Sequence, residues 1–95
     1  MDANLLKNRT KPFGISVIKF VESLNINRIT TKVIANQLIR AATSVGSNYR
    51  AACRARSRAD FISKMTIIEE ESDECSYWLE MLHELNVGSK DPLNQ

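Results

Sequence analysis

The sequence predicts an all-α protein, an antiparallel up-and-down helical bundle with three helices in this chain. Three observations predict it. Apolar residues recur at alternating steps of three and four in three successive segments, which is the period of one helical face. No segment shows the apolar–polar alternation of a strand. Only three glycines and two prolines interrupt 95 residues. That length fits one domain, here residues 1–95.

The first helix is expected near residues 11–24. Pro12 suits a first turn and Thr10 is the candidate cap. Phe13, Val17, Phe20 and Leu24 form its stripe. Asn25 to Ile29 is polar enough for a loop. The second helix is expected over 31–55, opening at Thr30 or Thr31. Its stripe is Ile34, Leu38, Ala41, Val45, Asn48 and Ala52. The third is expected over 58–86. Ser57 and Asp60 stand in a capping-box pattern at its start. Its stripe is Phe61, Met65, Ile68, Ser72, Cys75, Leu79 and Leu82, with a second apolar edge of Ile67, Trp78, Met81 and Leu85. Gly88 is a natural stop, and the tail 87–95 reads as loop.

The second helix holds a glycine and an asparagine in its interior. Glycine there costs about 1 kcal/mol against alanine, so its presence needs a cause. Ala42 and Gly46 lie one turn apart and allow another helix to come close. Asn48 falls in the seam, where a polar residue fixes register and partner number. All three are assigned to packing.

The ordered set Gln37-Leu38, Ala42-Thr43-Ser44-Val45-Gly46, Asn48-Tyr49-Arg50, Arg56-Ser57, Asp60-Phe61, Glu69-Glu70-Glu71 and Tyr77-Trp78-Leu79-Glu80 resembles a known family. These are the four-helix-bundle proteins encoded in intervening sequences of bacterial 23S ribosomal RNA genes. The opening LKNRTKPFGISVIKFVESL is similar to their first helix, so the likeness covers about nine tenths of the chain. It implies an antiparallel bundle of four helices and a ring-like homo-oligomer, typically a pentamer. Relatives include the accessory protein of diversity-generating retroelements, which works with a reverse transcriptase and nucleic acid. No catalytic residue carries over. The sequence stops where the family's fourth helix is due, so that helix is expected to be absent. Four Leu-sized side chains on such a helix contribute roughly 6–12 kcal/mol, against about 5–15 kcal/mol for a whole small domain. Association with copies of the chain or with another protein is therefore expected.

Charge is segregated along the chain. Residues 1–59 hold 11 Lys+Arg and 2 Asp+Glu, a balance of +9; residues 60–95 hold 2 and 9, a balance of −7. Together they give the net +2, too small by itself to specify a partner. If the second and third helices form an antiparallel hairpin, Ala52 faces Phe61, Asn48 faces Met65, Ala41 faces Ser72 and Leu38 faces Cys75. Arg40 then lies near Asp73 or Glu74. Arg50, Arg54, Arg56, Arg58 and Lys64 gather at the bend, with Asp60 as the nearby acid. An antiparallel first helix adds Lys7, Arg9 and Lys11 to the same end. These eight residues are the candidate nucleic-acid or anion-binding set, acting on phosphate with little reading of bases. The bland reading is that one or two of the arginines only meet the last carbonyls of their helix. Tyr49 offers a stacking face or, more simply, packs beside the seam.

Enzyme chemistry is not expected. Helix three carries Glu70 and Glu74 one turn apart and one Glu80-x-x-His83, but bundle metal sites need two such Glu-x-x-His units with further glutamates. Cys53 and Cys75 have no neighbouring histidine and read as small core residues. No phosphate-binding glycine loop or hydrolase motif occurs, and no cofactor or metal is expected. No apolar run nears the roughly 18 residues of a membrane span. The first residues lack a secretory core, and a reduced cytoplasmic setting fits two widely spaced cysteines. The expected function is a non-enzymatic oligomeric bundle that binds RNA or DNA, or a nucleic-acid-processing protein, through its basic end. The alternative is a protein–protein interaction module.

Overall fold

The computed structural model describes residues 3–85, with side chains from residue 6 onward. The chain forms three α-helices: α1, Ala3–Ser23; α2, Ile29–Cys53; and α3, Arg58–Glu84. There is no strand among the described residues. Gly88 and the tail 87–95, assigned above to a stop and a loop, lie outside the described residues, as does the last residue of the expected third helix.

The helices pack in an open order. Both α1 and α3 lie against α2, and among the described residues no Cα of α1 comes within 8 Å of a Cα of α3. Side chains of both outer helices gather over the face of α2. There Val17, Ile34, Leu38, Ala41, Ala42, Cys75 and Leu82 form the buried cluster, with Val21, Leu24, Trp78 and Met81 packed on its border.

The α2 stripe behaves as the sequence predicts. Ile34, Leu38, Ala41, Val45 and Ala52 are buried, and Leu38 and Ala41 are completely so. Thr31, Ala35, Ala42 and Tyr49 join them, because a helix flanked on two sides buries more than one narrow stripe. Asn48 is half-buried and turns inward on its own helix, donating from Nδ2 to the Ser44 carbonyl at 2.9 Å and to Ser44 Oγ at 2.8 Å.

The first helix differs from expectation. It begins at Ala3, so Thr10 caps nothing and Pro12 lies in the interior. An interior proline removes one backbone hydrogen bond and costs about 3 kcal/mol. Packing of the extra turns on α2 outweighs that preference: the Thr10 backbone rests on Gly46, while the Pro12 ring faces solvent. The stripe is also rotated. Val17 is buried, but Phe13 and Phe20 stay 40% and 42% exposed. A close approach to α2 is made instead at Gly14, which is buried. A Cβ added there would stand 3.6 Å from the Ala42 carbonyl oxygen; one added at Gly46 would stand 3.4 Å from that of Thr10. Ala42 and Gly46 thus do admit a close neighbour, and it is α1.

Helix α2 starts at Ile29, before the expected threonines, with Arg28 at the cap position and no side-chain cap bond. It ends at Cys53 rather than 55. Helix α3 starts as predicted, with Ser57 Oγ accepting from the Asp60 N–H at 3.0 Å. Its register against α2 is confirmed by Arg40, which donates to Glu71 at 3.0 Å and to Glu74; Glu74 was one of the two expected partners, and Glu71 replaces Asp73. Only Cys75 and Leu82 of its stripe are buried. Phe61 and Leu79 remain exposed, since α3 is rolled toward its Trp78 edge.

Candidate nucleic-acid interface

Three helix ends converge at one end of the molecule. The four residues 54–57 that join α2 to α3 place the end of α2 beside the start of α3. The contact of Gly46 with Thr10 and Lys11 brings the first turns of α1 to the same end. Lys7, Arg9, Lys11, Arg50, Arg54, Arg56, Arg58 and Lys64 therefore share one pole. Two helix N-termini add partial positive charge there, although Ser57 already occupies one donor of α3.

Within this pole the structure separates a groove from scattered charge. An open groove of about 270 Å³ runs between α1 and α2. Lys7, Lys11 and Arg50 supply its cations, Ile15 and Ile18 its apolar wall, and Thr10, Thr43 and Ser47 its hydroxyls. Gly14 and Gly46 complete the lining. The helical spacing explains the grouping. Lys7, Lys11, Ile15 and Ile18 follow at steps of four, four and three, so they form one flank of α1. The same logic places Thr43, Ser47 and Arg50 on one flank of α2.

Arg9, Arg54, Arg56, Arg58 and Lys64 do not line the groove. Arg9, Arg54, Arg56 and Arg58 are exposed around its end of the molecule. The Arg54 backbone N–H closes α2 by donating to the Ala51 and Ala52 carbonyls. Lys64 Nζ sits 3.9 Å from Asp60 Oδ1 in an i,i+4 pair, which reduces its availability. Among the described residues, none of the other seven cations has an acidic partner.

The sequence reading missed Thr10, Gly14, Ile15, Ile18, Thr43 and Ser47 as site residues. The signal for them was a glycine on each of two adjacent helices, Gly14 against Ala42 and Thr43 and Gly46 against Thr10, the latter contact needing α1 to extend past Pro12. Tyr49 is buried, 7% exposed, so it offers no open stacking face.

The polar chemistry on the far flank of α2 is structural. Glu74 accepts from Trp78 Nε1 at 3.1 Å and from Arg40. These two bonds, Trp78 first, hold its carboxyl below the usual glutamate range. The Glu74 bond in turn raises the Arg40 guanidinium. Burial pushes the Cys75 thiol up, aided by Glu71 and Glu74. Cys53 is free and half-buried. No cluster of three metal-ligating side chains occurs among the described residues. No helix among them is long and apolar enough to cross a membrane.

Comparison with known proteins places this architecture. The family described as 23S rRNA-intervening sequence protein matches residues 6–95. A solved structure of a protein of unknown function from the S23 ribosomal protein family of Bacteroides thetaiotaomicron VPI-5482 is similar in fold, with a TM-score of 0.78 and 36% identity. The likeness covers 90% of this chain and 75% of that one. No curated protein matches the chain.

Proposed function

The chain belongs to the 23S rRNA-intervening sequence protein family, and from that premise we propose that it is a non-enzymatic nucleic-acid-binding bundle acting through its basic pole. The observation that carries this reading is the groove in which Lys7, Lys11 and Arg50 converge. Exposed arginines surround it, and no acid among the described residues neutralises its three cations. Such a surface takes phosphate, releases counterions and reads few bases. Repetition around a ring of copies, five by the family likeness, multiplies weak contacts. A nucleic-acid-processing protein can share the same surface.

The test is retention of RNA and DNA across a salt series. Affinity is expected to fall steeply between about 50 and 200 mM salt. Replacing Arg50, Arg54, Arg56 and Arg58 with glutamine is expected to abolish retention while light scattering shows the assembly intact. Salt-indifferent binding, or no retention at low salt, refutes the proposal.

A second reading is an interaction module for protein alone. It is favoured by the exposed apolar side chains on both outer helices, Phe13 and Phe20 on α1 and Phe61 and Leu79 on α3. Under that reading the glutamine variant keeps every partner of the wild type.

A further inference from the structure

We infer that the α1–α2 groove holds one unstacked nucleotide of a single strand, with its phosphate among Lys7, Lys11 and Arg50 and its base against Ile15 and Ile18. This deepens the reading above and rests on it.

Charge alone does not require a groove. A flat basic pole binds phosphate equally well, and the remaining exposed arginines already provide one. What the groove adds is an apolar wall adjoining three cations. Ile15 is 43% exposed there, a β-branched side chain that gains from being covered. An occupant that satisfies both parts must be anionic at one end and flat or apolar at the other. Its volume, about 270 Å³, lies just under the roughly 300–1,000 Å³ of pockets for drug-sized ligands. One nucleotide unit is the right scale; a duplex or a folded element is not. A duplex keeps its bases stacked inside, whereas a single strand can splay one outward onto a protein surface.

The groove's own hydrogen bonding predicts tolerance of sequence. Thr43 Oγ1 donates to the Ile39 carbonyl at 2.8 Å, and Ser47 Oγ donates to that of Ser44 at 3.2 Å. Both hydroxyl protons are thus directed at the helix backbone, which leaves few donors to read a base edge. The base is held by contact, not by code.

Electrostatics supplies the discriminating measurement. Pure phosphate contact favours the duplex, whose charge density and counterion release are greater. A preference for single strand runs against that bias and reports the base. The experiment measures anisotropy of a labelled oligonucleotide, alone and annealed to its complement, with the full chain at about 50 mM salt. Two variants leave every charge in place: Ile15→Ser removes the apolar wall, and Ser47→Phe fills the groove. Thermal melting by circular dichroism establishes that each is folded.

The wild type is expected to favour the single strand. At least one folded variant is expected to lose about fivefold in the ratio of single-strand to duplex affinity. Equal wild-type affinity for the two forms, or folded variants that bind the single strand like the wild type, overturns the inference while leaving the basic pole as a phosphate surface. Absence of binding to either form at low salt overturns both.

Discussion

The central helix and its two neighbours use their apolar residues differently. On α2 the whole predicted stripe is committed except for half-buried Asn48, and Leu38 is wholly enclosed. On α1 and α3 the predicted stripes are split: Val17 is buried beside open Phe13 and Phe20, and Cys75 and Leu82 beside open Phe61 and Leu79. A three–four repeat of apolar residues runs through all three. The difference lies in the number of neighbours. A helix flanked on both sides buries a wide face, and a helix flanked on one side buries an edge. At about 100° per residue, Phe13 and Phe20 stand on the flank of α1 opposite Lys11 and Ile15. Phe61 and Leu79 stand on the flank of α3 away from Glu74. The Phe13–Phe20 and Phe61–Leu79 edges and the α1–α2 groove therefore occupy different flanks of their helices.

The sharpest way to break this comparison is truncation at matched positions. Leu38→Ala is expected to cost about 2–5 kcal/mol, because a cavity opens where nothing can collapse into it. Phe13→Ala, on a half-covered side chain, is expected to cost about 1 kcal/mol. Denaturant unfolding at two protein concentrations measures both. If copies of the chain cover the outer edges, the Phe13→Ala penalty grows with concentration, while the Leu38→Ala penalty stays large at each. Equal penalties at low concentration would mean that α1 is enclosed as fully as α2.

That contrast also explains what was legible in the sequence. Period alone located α2 and the start of α3, because a 3–4 repeat and the Ser57 cap are local signals. It also placed Arg40 near Asp73 or Glu74, the second of which it meets, since a short link between two helices fixes their register. It failed where the deciding partner is remote. Pro12 is a sound local start signal, but the Thr10–Gly46 contact that extends α1 past it joins residues far apart in sequence. The same contact defines the groove. Arg50 was legible as part of a basic cluster; its convergence with Lys7 and Lys11 was legible only as a shared end, and the apolar wall beside them was not legible at all. The roll of α1 and α3 was hidden for a related reason: a stripe shows which face is apolar but not which edge of it meets a neighbour.

The two close approaches between α1 and α2 can be told apart by smaller changes. At Gly14 an added Cβ meets its nearest atoms at 3.6 and 3.7 Å, ordinary contact distances, and at Gly46 it meets the Thr10 carbonyl oxygen at 3.4 Å. Gly14→Ala is thus expected to gain up to about 1 kcal/mol from helix propensity, read as a rise in melting temperature. Gly46→Ala gains the same propensity, but its Cβ stands at the near limit of ordinary contact with backbone, which cannot rotate away, so its net effect is expected to be smaller. Gly46→Leu is expected to lower the melting temperature by levering α1 off α2. It should also weaken nucleic-acid retention more than it weakens the α2–α3 hairpin. If Gly46→Ala stabilises more than Gly14→Ala, the tighter contact is not where α1 is held.

The smallest expected effect concerns the polar flank, where α2 and α3 are tied by charge instead of burial. Glu74 is held below the ordinary glutamate value of 4.5 by Trp78 and Arg40. A carboxyl with a depressed folded pKa contributes stability above its unfolded value and loses it as pH falls through the folded one. The melting temperature should therefore be insensitive to Glu74 between pH 8 and 6. It should decline in acid, below the ordinary glutamate range, as the carboxyl takes a proton and the Arg40 pair is lost. Glu74→Gln keeps an oxygen to accept from Trp78 but removes that charge, so the variant starts lower and loses less on acidification. The gap between the two is expected to be slight, because the pair is exposed and screened by salt. A gap that persists unchanged into strong acid would show that the Glu74 charge is not what the variant has lost.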